Sequence, residues 1–162
     1  MNTFKAHLIN AFMKKTISKA VIRDTCLQKQ QELVNNYSSR VNEMTTDANS
    51  QDHSASQSED RNAGDIEILS TIESELEFVQ REMAFLKSLN PDQVNKIVEP
   101  GAVVVTKART FFIAVSSEKV DIDGQLIFGI STNAPIYSVM QGLKKGDAFE
   151  FNGTAYKIEN IY

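Results

Sequence analysis

The sequence predicts an α+β chain: a long N-terminal antiparallel helical hairpin, followed by a small twisted, mostly antiparallel sheet that carries one short helix. Three observations lead there. From Lys5 to Met44 there is no Pro or Gly, and apolar residues recur at helical spacing. Leu69, Ile72, Leu76, Val79, Met83 and Leu86 alternate steps of three and four, which puts all six on one stripe of a second helix. Beyond Pro100-Gly101 the pattern turns to short β-prone runs separated by Asp-Gly and Asn-Gly, the dipeptides of tight hairpins.

The first helix is expected over about 5–46, with Asn2 or Thr3 as its N-cap. Met13, Ala20, Leu27, Val34 and Val41 repeat every seven residues. Thr16, Arg23 and Gln30 weaken the complementary positions, and Ile17, Ile22, Cys26 and Leu33 point to a broader or shifting apolar face. Residues of about 47–57 are polar without periodicity and read as the hairpin tip. The second helix is expected over about 58–89, capped by Ser58, with a start near Gly64 as the alternative. Glu67, Glu73, Glu75, Glu77 and Glu82 lie off its stripe, and their charge opposite the basic first helix favours antiparallel pairing. Such an arm would extend about 48 Å. Residues 1–90 therefore form the hairpin unit.

Asn90-Pro91-Asp92 ends the second helix, and 91–100 reads as a linker. The C-terminal unit, 101–162, shows strand runs AVVVT, TFFIAV, QLIFGIS, AFEFN and TAYKIENI. Pro135 suits a first helical turn capped by Asn133, with Ile136, Val139, Met140 and Leu143 on one apolar face. Phe111, Phe112, Phe128, Phe149 and Phe151 divide between the core and one exposed patch. Because neighbouring strand residues face opposite ways, one of Phe111 and Phe112 is expected to point outward.

Charge is segregated. Residues 1–40 carry seven Lys and Arg against two acids, a local charge of +5. Residues 41–99 carry four against thirteen, or −9, and 100–162 balance six against six. An acidic middle without a concentrated basic face is poorly suited to binding duplex nucleic acid alone, since that affinity comes largely from neutralising phosphates. Any nucleic-acid contact is expected to be indirect. One cysteine, Cys26, fits a reducing compartment and the interior of a helix packing face, and two scattered histidines, His7 and His53, make no metal site. No run approaches the roughly 18 to 20 apolar residues of a membrane span, and no signal peptide is evident, so a cytoplasmic protein without a membrane partner is expected. GxGxxG, the P-loop pattern, a Ser/His/Asp triad and a cysteine nucleophile are all absent, so the chain is expected not to be an enzyme.

The stretch Phe128 to Ile161 resembles the C-terminal domain of the Gre-type transcript cleavage factors. The match is carried by Ile130-Ser131-Thr132-Asn133-Ala134-Pro135-Ile136 and by Gly142-Leu143-Lys144-Lys145-Gly146-Asp147, with the order of elements agreeing. Motif-level similarity covers the C-terminal third, and the helical hairpin extends the architectural resemblance to nearly the whole chain. The compact Phe151-Asn152-Gly153 hairpin is similar to a Gre-like branch from the Bacteroidetes. The resemblance implies an FKBP-like C-terminal fold, bacterial RNA polymerase as partner, and a role in transcription elongation through the polymerase secondary channel. It implies that Asn133, Ala134, Pro135 and Ile136 form the polymerase-contact loop. It also implies that tip carboxylates assist a Mg²⁺ ion in the polymerase active site, the free protein needing no cofactor and binding no metal.

The family's tip pattern, Asp-x-x-Glu-Asn, is absent. Its nearest counterpart is Glu59-Asp60-Arg61-Asn62, so Glu59 and Asp60 are the candidate tip acids, with Asp47, Asp52 and Asp65 nearby. Each of these acids also has a plain role, solvating a loop or favouring a helix N-terminus. The altered tip leaves open a regulator that occupies the channel without stimulating cleavage. Two further readings stand beside these. One is a peptidyl-prolyl isomerase, disfavoured because the chain has no Trp to floor a proline pocket. The other is a coiled-coil interaction protein dimerising through the Leu69 to Leu86 stripe, whereas intramolecular pairing predicts a monomer.

Overall fold

A computed structural model of the protein describes residues 16–50 and 59–162, with side chains described over 16–47 and 63–162. Two helices, α1 (Lys19–Ser50) and α2 (Glu59–Ser88), form the antiparallel hairpin. Strands β1 (Val103–Thr106), β2 (Thr110–Ala114), β3 (Ser117–Ile122) and β4 (Gln125–Ser131) follow, then the short helix α3 (Pro135–Met140) and strands β5 (Ala148–Phe151) and β6 (Thr154–Ile161). They make one mixed six-stranded sheet in the order β3-β4-β2-β1-β6-β5, in which β2 and β4 pair in parallel and the other neighbours are antiparallel. Among the described residues no helix is long and apolar enough to cross a membrane.

The expected cap at Asn2 or Thr3 and the start of the first helix near residue 5 lie outside the described residues, as do Ser58, Asp52 and His53. Residues 16–18, however, are not helical, so the helix expected over 5–46 is broken there. The cause is tertiary. Ile17 is buried against the sheet, its carbonyl accepts a bond of 2.9 Å from the Tyr162 hydroxyl, and the first helical bond runs from the Ile22 N–H to the Ser18 carbonyl. At the other end α1 continues to Ser50, past the expected 46. Thr45 and Thr46 satisfy their hydroxyls on the carbonyls of Val41 and Asn42 within the helix.

Along the seam Ile72, Val79 and Leu86 of α2 are buried against α1, so the stripe is used within the chain. Its partner face is the shifted one: Ile22, Cys26 and Gln30 are buried, while Leu33 is 42% exposed, against expectation. Gln30 Nε2 donates to the Val79 carbonyl at 3.2 Å and to Glu82 Oε2 at 3.1 Å, a polar layer of the kind that fixes register in paired helices. The described ion pairs Arg23 to Asp24 and Arg81 to Glu77 each lie within one helix, so pairing of the arms rests on apolar contact and the Gln30 layer.

Both faces of the sheet are covered. Val104, Phe111, Ile113, Tyr156 and Ile158 pack with α3, whereas Val103, Phe112, Ala114 and Ile127 pack with Ile17, Ile22, Cys26 and Leu86 at the root of the hairpin. Phe111 and Phe112 do face opposite ways, yet both are 1% exposed. The expected outward Phe is absent because the hairpin root occupies that face. Residues 91–100 carry Val98, fully buried, and Asn95, 1% exposed, and they pair with the turn after α3 through Val98 N–H to Leu143 O and Gly142 N–H to Val98 O.

Strand β3 was not evident in the sequence. It is an edge strand whose Glu118, Lys119 and Asp121 are exposed, with Val120 its buried anchor; charge on an edge discourages pairing with other chains. The Asp123-Gly124 and Asn152-Gly153 turns have positive φ at both residues, as tight hairpins require.

Candidate functional site: an aromatic cleft, a loop and a helical arm

The loop Asn133 to Ile136 leads from β4 into α3. The Asn133 N–H donates to Ser131 Oγ at 3.2 Å, Ala134 N–H to the Ser131 carbonyl at 3.0 Å, and Tyr137 N–H to the Ala134 carbonyl at 2.9 Å, so consecutive tight turns hold the segment. Asn133 does not cap α3 as expected: the N-cap is Ala134, with no side-chain cap bond. Pro135 in the first turn lacks an N–H and so removes one of the donors a cap would satisfy. Asn133 and Pro135 are exposed, Ala134 is half-buried and Ile136 is buried. The buried face of α3 is Ile136, Tyr137 and Met140; the bulky Tyr137 takes the inner place and Val139 turns out to 43% exposure, against expectation.

Ile136 also lines a cleft of about 280 Å³ on this side of the sheet, together with Phe111, Phe128, Ile130, Phe151 and Tyr156. Phe111 meets the Tyr156 ring edge-on at 5.7 Å and Phe128 at 6.4 Å, and Phe149 stacks on Tyr156 at 5.0 Å. The Arg109 guanidinium lies 5.0 Å from the centroid of Phe128, a cation–π contact that orders it at the cleft's rim beside Asn152 and Thr154. The cleft thus has an apolar floor and a cationic rim. Among the described residues no nucleophile–base pair lines it, and no three His, Cys, Asp or Glu side chains come together as metal ligands. The sequence names Ile136 as part of the loop but places the Phe residues in the core or on one exposed patch, and it singles out neither Arg109 nor Tyr156, the latter being one more apolar position in an alternating strand.

Glu59 and Asp60 open α2, and their side chains lie outside the described residues. Asp65 and Asp47 are exposed. The 30 residues of α2 place its first turn about 45 Å from its last. The structure therefore keeps the two predicted sites apart: the loop sits on one face of the sheet, and the acids sit at the far end of an arm rooted on the other.

At that root is a buried polar group that no local motif announces. Lys19 Nζ, on a side chain buried in the first turn of α1, donates to the Gln93 carbonyl at 2.5 Å and to Asn95 Oδ1, and Asn95 Nδ2 donates to Glu99 Oε1 at 2.7 Å. Burial pushes the Lys19 pKa down from 10.5, and the Glu99 carboxylate pulls it back up. Arg23 Nη1 donates to the Leu89 carbonyl at 3.2 Å, satisfying the end of α2. Cys26 is buried in the same cluster, and that burial pushes its thiol pKa up, which suits a packing residue and not a nucleophile.

No protein-family model matches the chain, and no curated protein matches it. Among solved structures it is similar to the crystal structure of GreA factor homolog 1 (Gfh1) of Thermus thermophilus, with 12% identity, a TM-score of 0.32, and 84% of this chain and 94% of that one covered. It is also similar to a structure of the transcription factor Gfh1, with 12% identity, a TM-score of 0.33, and 91% and 95% covered.

Proposed function

We propose that the chain is a non-catalytic regulator of transcription elongation that binds bacterial RNA polymerase in the cytoplasm, holding it with the face that carries Asn133 to Ile136 and reaching into the secondary channel with the hairpin. The observation that carries the reading is the pairing of motif with geometry. The two Gre-like segments, Ile130 to Ile136 and Gly142 to Asp147, flank α3 beside an aromatic cleft, on a domain from which a helical arm of about 45 Å extends. A closed loop beside an apolar cleft is suited to gripping a partner, and a long arm buries little surface per residue unless it enters something. In this reading the polymerase holds the Mg²⁺, Glu59 and Asp60 are the tip acids that would reach it, and the protein acts as a monomer of the Bacteroidetes Gre-like branch with an FKBP-like C-terminal domain.

The test is transcript cleavage in a backtracked elongation complex with cognate polymerase and Mg²⁺, alongside polymerase binding. Cleavage with wild type that disappears in Glu59→Ala/Asp60→Ala, with binding kept, is the expected result. A second reading is favoured by the absence of Asp-x-x-Glu-Asn from the sequence: a channel-occupying regulator that binds without stimulating cleavage in any variant. Absence of binding would remove both.

A further inference from the structure

We propose that Lys19 is a positioning residue whose buried ammonium fixes the direction of the hairpin relative to the sheet, so that arm and sheet form one rigid body. The functional weight of this rests on the polymerase reading.

The root of the hairpin shares an apolar core with the sheet, where Ile22 and Leu86 are fully buried among Val103, Phe112 and Ile127. Apolar contact is non-directional, and two packed faces can tilt with little change in buried area. Direction has to come from hydrogen bonds. Lys19 ties the first turn of α1 to Gln93 and Asn95, and through Asn95 to Glu99. That segment is in turn fastened to the sheet domain by Val98 N–H to Leu143 O at 2.9 Å and by Gly101 N–H to Ile113 O at 2.7 Å. Arg23 to Leu89 O and Tyr162 to Ile17 O close the frame from two other sides.

The placement of Lys19 is costly twice over. A cation is disfavoured at a helix N-terminus, and an ammonium loses hydration on burial. An apolar residue would pack there without either penalty, so what the ammonium adds is its set of directed bonds. The lever is long: α1 spans about 48 Å, so a tilt of about 10° at the root moves its far end by about 8 Å. Groups that assist chemistry lose their effect when misplaced by about 1 Å.

The test uses the full 18.1 kDa chain, labelled with ¹⁵N and weakly aligned, with residual dipolar couplings fitted separately for the two hairpin helices and for the six strands. In wild type the two alignment tensors are expected to agree in magnitude. In Lys19→Met, which keeps the stem and removes the donors, the hairpin tensor is expected to shrink by at least about 15% relative to the sheet's, because couplings scale with the order parameter S and S² falls from about 0.85 to about 0.6 between rigid and flexible backbone. Glu99→Ala, at the half-exposed outer end of the network, should give a smaller change in the same direction, and the exposed Lys87→Met none. Unequal tensors in wild type overturn the proposal outright, and so do equal tensors in folded Lys19→Met. If wild type fails to bind polymerase, the functional reading falls while the tensor comparison still decides the role of Lys19.

Discussion

Gly129 is the position where adding one carbon should do most harm for least chemistry. It lies in β4 opposite Ser117 of β3, where the register of the pair is irregular. A Cβ built there meets Ser117 Oγ in a hard clash, the Val115 carbonyl oxygen at 2.5 Å and the Ser117 nitrogen at 3.1 Å. Real Cβ atoms essentially never approach closer than 3.0 Å, so the backbone at Val115 must retreat by at least about 0.5 Å. Backbone cannot swing aside as the end of a long side chain can, and Val115 is itself buried in the core beneath the hairpin root. Overpacking of this kind costs about 1–3 kcal/mol. For a chain of this size, at about 2–4 °C per kcal/mol, that lowers Tm by about 2–12 °C. Gly64 supplies the opposite case within the same protein: it is exposed in α2 with nothing within 4 Å of an added Cβ. There Ala removes a helix-propensity penalty of about 1 kcal/mol and should raise Tm by about 2–4 °C. Thermal unfolding followed by circular dichroism reads both. A Gly129→Ala protein as stable as wild type would refute the close approach of β3 to β4, and with it the sheet order at that edge.

Other perturbations have equally definite outcomes. Leu86→Ala empties a fully buried site shared by hairpin and sheet and should cost about 2–5 kcal/mol; helix and near-ultraviolet tyrosine signals should melt together, and two separate transitions would argue against a common core. Burial raises the Glu82 pKa above its usual 4.5, with Gln30 pulling it back, so the folded state takes up a proton more readily than the unfolded state. The resulting penalty is absent below pH 4.5, grows as pH rises through the raised value and persists above it. Glu82→Gln, which keeps an acceptor for Gln30, should therefore be more stable than wild type at neutral pH, with the advantage vanishing on acidification; a pH-independent difference would contradict this. Arg109→Ala should leave stability within about 1 kcal/mol while weakening polymerase binding, because the described contact of its side chain is the stacking on Phe128 and its backbone bonds to Thr106 are kept. Equal affinity in a binding titration would exclude the rim of the cleft from the interface.

The parts of this fold written in local sequence were legible, and the parts set by distant contacts were not. The Leu69 to Leu86 stripe, the Asn152-Gly153 hairpin and the Pro135 helix start each depend on neighbours a few residues away. By contrast, nothing near Ile17 signals a break in the first helix; the sheet and Tyr162, 145 residues on, impose it. Period-two alternation correctly turned Phe111 and Phe112 to opposite faces, but it could not say that a hairpin root would cover the second face. Gln30 counted as a weakness in the seam because its partners, Val79 and Glu82, come from the other arm. β3 was hidden by the charges that protect an edge. Of the candidate site, the loop Asn133 to Ile136 could be named in advance, whereas the Phe positions were readable only as core or surface patch, and Arg109 and Lys19 take their roles from groups that only the folded chain brings near, Gln93 and Asn95 lying 74 and 76 residues from Lys19.

The most direct test of the proposed function is equilibrium binding of the full chain to bacterial RNA polymerase, with Asn133→Ala/Pro135→Ala as the paired variant. The expected result is saturable one-to-one binding by wild type and its weakening in the variant, whose far-ultraviolet spectrum should match wild type because both residues are exposed. Absence of binding by wild type to a polymerase active in transcription would contradict the proposal and leave the two Gre-like segments as features of the fold.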